Sequence, residues 1–97
     1  MPAYFIAIRD KTKDPAALET YGKEAQGASA GHKMIPRAIY GRQVNLEGSP
    51  AEGIVILEFA SVAEAEAWYH SPAYQKAAQH RHRGADYRCY IVEGLPS

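Results

Sequence analysis

Residues 53–74, GIVILEFASVAEAEAWYHSPAY, decide the fold. The first seven residues combine β-branched and other apolar side chains on both sides of the chain, so they predict a strand that is covered on both faces. Ser61 and Glu64 then have the spacing of a capping box, in which the serine hydroxyl accepts the amide of the glutamate. The stretch is therefore predicted to be a central strand that leads directly into a helix starting near residue 61.

The chain before this stretch predicts a strand followed by a helix. Residues 3–9, AYFIAIR, are rich in aromatic and β-branched side chains and apolar on both sides, which is typical of a strand. Asp14 and Pro15 supply a helix N-cap and a proline at the first helical position, where its missing amide costs nothing. Apolar residues then recur at helical spacing, and this first helix is predicted to end within residues 27–31.

Two further strands are predicted, together with a break in the second helix. Rough apolar alternation over residues 33–46 predicts a long second strand. Pro36 confines that strand to a sheet edge or marks a bulge, because proline has no amide to donate. Ser71 and Pro72 repeat the pattern of a cap followed by a proline, so the second helix should break or kink there and restart. Residues 87–92 predict the fourth strand.

The resulting order, βαββαβ, predicts a single α+β domain over residues 1–97 with the ferredoxin-like fold. In this fold a four-stranded antiparallel sheet carries both helices on one face, and the first and third strands are central. Both of these strands are apolar on both sides. The face without helices would therefore expose a larger apolar patch than soluble monomers usually carry. We expect a homodimer that packs through this open sheet face.

Charge and composition argue against several classes of function. Eleven basic and eleven acidic residues cancel, so no global field attracts nucleic acid or an anionic membrane. RNA-recognition modules share this strand order but carry stacking aromatics on the third strand, where residues 54–57 are aliphatic. Cys89 is the only cysteine, which suits a reducing compartment, and no signal-peptide pattern or long apolar run is present. We therefore expect a soluble cytoplasmic protein that binds neither nucleic acid nor membrane.

Several pieces of the chain resemble the domain-of-unknown-function family 1330. They are Asp14-Pro15, the strand at residues 53–59, AEAWYHSPAY at residues 65–74, Arg81, and VEGL at residues 92–95. The resemblance implies the dimeric α/β-barrel superfamily, which is built from ferredoxin-like subunits. Its relatives include cofactor-independent monooxygenases, haem proteins of the chlorite dismutase type and small-molecule isomerases. The resemblance also implies that a ligand would lie between the helices and the sheet, although the family itself has no settled activity.

Arg81 is the strongest candidate for a functional residue. It follows Tyr74, Ala77 and Ala78 at helical spacing, on the stripe of the second helix that should face the sheet. A permanently charged guanidinium in these surroundings needs an anionic partner, and a bound carboxylate or enolate would serve. The alternatives are an internal ion pair with Glu58 or a side chain that extends to water at the helix end.

Glu58 and His70 are the candidate proton carriers. Glu58 interrupts the third strand and would act as a general base if its side of the sheet is the one that the helices cover. Otherwise it pairs with one of the arginines at positions 9, 37 and 81, or it is solvated near the strand end. His70 lies beside the helix break and is either an acid–base group or a solvated helix cap. The candidate catalytic residues are thus Arg81, His70 and Glu58.

The candidate ligand-binding residues are Trp68, Tyr74 and Arg81. Trp68 and Tyr74 flank the helix break, where they either wall an aromatic pocket or anchor a kinked helix to the sheet. No metal site is expected, because His80 and His82 diverge on a helix and no third ligand has matching spacing. No phosphate-binding or dinucleotide-binding motif occurs, and no cofactor is predicted.

Three functions remain open. The first is a homodimeric protein that binds a small anionic or aromatic metabolite in a pocket between the second helix and the sheet. The second is a cofactor-independent enzyme, monooxygenase-like or isomerase-like, in which Arg81 steadies developing negative charge and His70 or Glu58 moves a proton. The third is a structural or interaction module without a ligand. A closed core with Arg81 paired to Glu58 would favour the third, whereas an open cavity with Arg81 unpaired would favour the others.

Overall fold

The computed structural model describes residues 1–96, and within them the ferredoxin-like fold is confirmed. The strands form one antiparallel sheet in the order β2-β3-β1-β4, so β1 and β3 are central, as the sequence predicts. None of the helices in this part of the chain is long and apolar enough to cross a membrane. The elements are β1 (Ala3–Thr12), α1 (Pro15–Ala28), β2 (Ile35–Ile39), β3 (Gly53–Phe59), α2 (Val62–Tyr69), α3 (Pro72–Gly84) and β4 (Ala85–Glu93).

The helix starts and the helix break follow from side-chain caps. The Asp14 carboxylate accepts the amide of Ala16 at 3.1 Å and so starts α1, while the Ser61 hydroxyl accepts the amide of Glu64 at 3.1 Å and starts α2. The Ser71 hydroxyl donates to a carbonyl at the end of α2 and accepts an amide in the first turn of α3. The predicted break is therefore a junction between two helices, at which one serine satisfies backbone groups of both.

The second strand is much shorter than predicted. The prediction of a strand over residues 33–46 is wrong, because β2 ends at Ile39 and the next residue, Tyr40, has a φ of 51°, outside the extended region. Residues 41–52 then form an irregular connection to β3. Both predictions about Pro36 hold, since β2 is an edge strand and its register shifts between Pro36 and Ala38.

The core lies between the helices and one face of the sheet. Phe5 and Ala7 of β1 and Leu57 and Phe59 of β3 point to this face and are buried. The Trp68 ring packs edge-on to Phe5, with ring centroids 5.0 Å apart. We call this the helix-covered face. The buried helical residues of the same cluster are Ala28, Ala65, Trp68, Tyr74 and Ala78.

The opposite face of the sheet, which we call the open face, has no helix over it. Ile6 lies beside Ile56 and Ile8 beside Ile54 in the antiparallel register, and all four side chains are only half-buried. On β4 the residues of the same parity, Arg88, Tyr90 and Val92, are exposed. The open face is thus a band of aliphatic side chains across the two central strands that a single chain leaves in contact with water.

Candidate functional site

A cavity of about 380 Å³ lies between α1 and the helix-covered face of the sheet. Residues of β1 and β3 form its floor, and Trp68 of α2 and Tyr87 of β4 contribute to its walls. Its lining is mostly apolar and aromatic, as is usual for pockets that bind small molecules. The helix α1 contributes Tyr21 and Ala25 to the lining. The strand β2 and the residues next to it contribute Met34, Pro36, Ile39 and Tyr40.

Trp68 brings an unused hydrogen-bond donor to this cavity. Its side chain is 3% exposed, its ring centroid lies 4.2 Å from that of Tyr74, and its Nε1 has no hydrogen-bond partner within residues 1–96. A buried N–H group without an acceptor costs about 1–3 kcal/mol. The indole therefore carries an unsatisfied donor in the core, and its ring forms part of the cavity wall, where it can contact an apolar ligand.

Two pairs of tyrosine hydroxyls form the polar part of the site. The hydroxyls of Tyr21 and Tyr74 are 2.8 Å apart, and those of Tyr40 and Tyr87 are 2.6 Å apart. Burial raises the pKa of Tyr21, Tyr40 and Tyr74 above its ordinary value, because the phenolate would lose its hydration. These phenols therefore stay neutral at physiological pH and cannot serve as bases. The hydroxyls of Tyr21 and Tyr40, whose side chains line the cavity, can form hydrogen bonds with a ligand.

Arg81 is buried without a carboxylate partner. Its residue is 4% exposed, and its guanidinium carbon lies 5.2 Å from the centroid of the Tyr87 ring. Its Nε has no hydrogen-bond partner, and no ion pair of Arg81 is found among the described residues. The cation–π contact offsets part of the lost hydration, but a buried charge is normally paired. Among the described residues the guanidinium has a long contact, 3.5 Å from its Nη2 to His82 Nε2, and no anionic partner.

Arg81 opens onto a cleft between α3 and β4, separate from the cavity. This cleft measures about 450 Å³. Burial and the charge of Arg81 lower the pKa of His82, so this imidazole is neutral at pH 7, and burial raises the pKa of the Cys89 thiol. The carboxylate of Asp86 is exposed and lies 3.2 Å from Lys13. The cleft is lined by Tyr69, Arg81, His82, Asp86, Tyr87 and Cys89, with Ala85.

The three predicted ligand-binding residues lie next to one another but do not share one cavity. Trp68 lines the cavity, Arg81 lines the cleft, and Tyr74 is fully buried between them. Tyr74 contacts the Trp68 ring and is close enough to Arg81 for the guanidinium charge to act on its phenol. The space for an apolar ligand thus lies under α1, with α2 as one wall, whereas the sequence pointed to the second helix.

The two candidate proton carriers lie outside the cavity. Glu58 is on the open face, where its carboxylate accepts from Arg37 Nε at 2.9 Å, so the pair with Arg81 does not form. The condition for Glu58 as a buried base, a place on the helix-covered face, is not met. His70 is exposed at the C-terminal end of α2. His80 lies 2.9 Å from Glu24, and residues 1–96 contain no group of three side chains placed to hold a metal ion.

Sequence reasoning missed Tyr21, Tyr40 and Tyr87 as members of the site. A weak signal was present, because the chain has seven tyrosines and only two phenylalanines. Such a bias indicates aromatic side chains whose hydroxyls need polar partners. The sequence could not pair them, because the two hydroxyl contacts join residues 53 and 47 positions apart.

Comparisons with known proteins agree with this fold. The family described as Domain of unknown function (DUF1330) matches residues 2–95. The methylated RPA0582 protein, described as a protein of unknown function from Rhodopseudomonas palustris, superposes with a TM-score of 0.74 at 20% identity, over 98% of this chain and 82% of that chain. Comparison with curated proteins found no match.

Two more distant structures share the fold and carry informative descriptions. A dimeric ferredoxin-like protein of unknown function from Bacteroides fragilis has a TM-score of 0.65 at 13% identity and covers 96% of both chains. SnoaB, a cofactor-independent oxygenase from Streptomyces nogalater, has a TM-score of 0.70 at 8% identity, over 99% of this chain and 95% of that chain. At these identities the likeness concerns the fold.

Proposed function

This chain belongs to the DUF1330 family, whose description states no activity, and from the geometry of its site we propose that it is a homodimeric small-molecule-binding protein. Its ligand is a small metabolite with an apolar or aromatic body and an anionic group. The body lies in the cavity between α1 and the sheet, where it contacts Trp68. Arg81 binds the anionic group, and Tyr74 supports both residues from between them. No cofactor takes part.

The observation that carries this proposal is the unpaired charge of Arg81. A buried guanidinium without a carboxylate lowers the stability of the empty protein, so it persists only where something offsets the cost. A purely structural module would pair Arg81 with Glu58. Glu58 instead pairs with Arg37 on the open face. A bound anion supplies the missing partner, and the neighbouring cavity supplies room for the rest of the molecule.

The homodimeric part of the proposal is supported by the open face and by similar structures. Two ferredoxin-like proteins with TM-scores of 0.65 are described as dimeric. Two chains that pack through their open faces would bury the aliphatic band of β1 and β3 and form the dimeric α/β barrel. The interface would be isologous, with the same patch contributed by each copy.

Cys89 is a free thiol, and the cytoplasm is the compartment that fits it.

Titration of the intrinsic fluorescence tests the proposal, because Trp68 is the only tryptophan. The probes are octanoate and 1-octanol, which have the same chain and differ in charge. Both should change the Trp68 emission, since both place the chain beside the indole. Arg81→Met should weaken octanoate binding about tenfold to a hundredfold, the size of a lost charge-assisted hydrogen bond, and should change octanol binding much less.

The matched control is Arg83→Met, which removes an exposed arginine from the same helix. It should leave the affinities for both probes as in the unchanged protein. Emission that responds to neither probe would contradict the cavity as a binding site. Equal effects of Arg81→Met and Arg83→Met on octanoate would contradict Arg81 as the anion-binding residue.

The second candidate is a cofactor-independent enzyme, favoured by the likeness in fold to the oxygenase SnoaB. Arg81 would steady negative charge that develops on an oxygenated substrate. His70 and Glu58 lie outside the cavity, whereas the neutral phenols of Tyr21 and Tyr40 line it and can donate hydrogen bonds to that negative charge. Oxygen uptake with 1-naphthol, in buffer without metal or flavin, tests this candidate. Oxygen uptake above the uncatalysed rate that is lost in Arg81→Met would support an oxygenase. Uptake at the uncatalysed rate would contradict the oxygenase and favour the binding protein.

A further inference from the structure

Tyr87 belongs to both spaces of the site. Its side chain lines the cavity under α1, and it also lines the cleft that contains Arg81. The guanidinium of Arg81 lies over its ring, and its hydroxyl is bonded to that of Tyr40. The ring of Tyr87 therefore separates the apolar cavity from Arg81. Within residues 1–96, Arg81 is the only buried cation that lines the cleft.

Tyr40 holds the Tyr87 ring in place, and it is itself held in an unusual conformation. Its φ of 51° lies in the left-handed region, which a non-glycine residue adopts only when its surroundings fix it. The Arg9 guanidinium lies 4.8 Å from the centroid of its ring. Gly53 leaves room for the same ring, because a Cβ at this position would clash with it. Tyr40 is 42% exposed, so one side of its ring borders water and is not part of the closed core.

We propose that Tyr87 is a movable partition within one two-compartment site, and that the site takes a linear amphiphilic monocarboxylate. The alkyl chain occupies the cavity under α1, and the carboxylate binds Arg81. Binding turns the Tyr87 ring and opens the hydroxyl contact with Tyr40, which acts as the latch. This inference rests on the proposed function and adds the class of ligand and the residues that select it.

The charges around the cleft indicate a single negative charge on the ligand. Arg81 is the one cation among the residues that line the cleft, since His82 is neutral at pH 7, and the carboxylate of Asp86 is paired with Lys13. A phosphate dianion would find one guanidinium for its two charges, because Lys13 is already paired with Asp86. A carboxylate matches the fork of one guanidinium and carries one charge.

The shapes of the two spaces indicate a linear ligand. The cavity and the cleft are in contact only where Tyr87 lines both, so the part of the ligand that connects its apolar body to its carboxylate must be narrow. An alkyl chain meets this condition, whereas a carboxylate attached directly to a fused ring system does not. Octanol, which has no charge to place at Arg81, can remain in the cavity with the partition closed.

The experiment compares the affinities for octanoate and octanol in Tyr40→Phe and Tyr87→Phe, both measured through Trp68 fluorescence on the full-length protein. Each variant keeps the ring and removes one partner of the latch. Opening then no longer breaks a hydrogen bond, so the ratio of octanoate affinity to octanol affinity should rise about threefold to tenfold. Tyr90→Phe, which removes an exposed hydroxyl on the open face, is the control and should leave the ratio unchanged.

Each outcome decides something different. A raised ratio in Tyr40→Phe supports the latch, and this variant suffices if Tyr87→Phe does not fold. An unchanged or lowered ratio in the folded variants overturns the partition, while the proposed function stands if the unchanged protein binds both probes. A ratio that rises equally in Tyr90→Phe also overturns it. If no protein binds either probe, the proposed function and this inference both fail.

Discussion

The two faces of the central strands have similar side chains and very different surroundings. Phe5 and Phe59 on the helix-covered face are 3% and 2% exposed, whereas Ile6 and Ile56 on the open face remain half-buried at the edge of water. The residue types alone do not distinguish the faces, since both are strongly apolar. The helices decide which face becomes the core, and the other face is left with an apolar surface that a second copy of the chain could cover.

The charged residues of the open face are paired, whereas the buried charge on the helix side is not. On the open face, Glu58 pairs with Arg37 and Asp10 pairs with Arg88, each at a distance below 3 Å. Under the helices, Arg81 has no carboxylate among the described residues, although burial makes a partner more valuable there. The charges of the open face are therefore satisfied within the chain, whereas the buried charge under the helices is the one for which we propose a ligand.

The largest expected effect is on the helix-covered face. Phe59→Ala should lower the free energy of unfolding by about 3–5 kcal/mol, because it removes a buried ring and leaves a cavity. Ile54→Ala, which shortens a half-buried side chain on the same strand and the opposite face, should cost the folded chain clearly less. Because the proposed dimer would bury Ile54, both variants are compared by urea denaturation at equilibrium in chains that carry Ile56→Lys, which is expected to keep them monomeric. Equal losses in the two variants would remove the contrast between the faces.

The next effect concerns the open face and the assembly. Ile56→Lys should raise the dissociation constant of the dimer about a hundredfold or more, because each copy would bury a charge against an apolar surface. Light scattering at micromolar concentration should then give the 10.7 kDa of one chain, against twice that mass for the unchanged protein. Ala63→Lys, on the exposed side of α2, is the control and should stay dimeric. An unchanged protein that is already monomeric would contradict the homodimer.

A smaller effect is expected at Arg81, and its sign is informative. Arg81→Met should raise the free energy of unfolding of the ligand-free protein by about 1 kcal/mol, since an apolar side chain of similar length removes a buried unpaired charge. Arg83→Met should leave it nearly unchanged. Urea denaturation without ligand measures the difference. A clear loss of stability in Arg81→Met would show that this arginine is a structural anchor.

The smallest effect is a pH dependence at the rim of the open face. The hydrogen bond from Arg88 holds the pKa of Asp10 below its ordinary value of 3.8. The unfolded chain binds the proton more readily, so this contribution to stability is complete above the unfolded pKa and is lost as the pH falls through the folded one. Thermal melting between pH 6 and pH 3 should show a shallower decline in Asp10→Asn than in the unchanged protein. Identical profiles would contradict this contribution.

The amino-acid sequence determined the architecture because its signals are local. Apolar side chains on both sides of the chain identified β1 and β3 as central, and the caps at Asp14, Ser61 and Ser71 placed the starts of α1, α2 and α3. Each of these signals depends on contacts within a few residues, so it can be read along the chain. The sequence did not predict where β2 ends. Tyr40 ends the strand in a conformation that depends on contacts with Arg9 and Gly53, which are distant in sequence.

Only the tertiary structure decided how the site is assembled. It separated Glu58 from Arg81 by placing them on opposite faces of the sheet, moved the cavity under α1, and joined Tyr21 to Tyr74 and Tyr40 to Tyr87. The sequence identified Arg81 and Trp68 as candidates, since a charge or an indole in an apolar stripe is visible in one dimension. The partners of a buried group are set by the packing of distant elements, and no local pattern records which of them come within hydrogen-bonding distance.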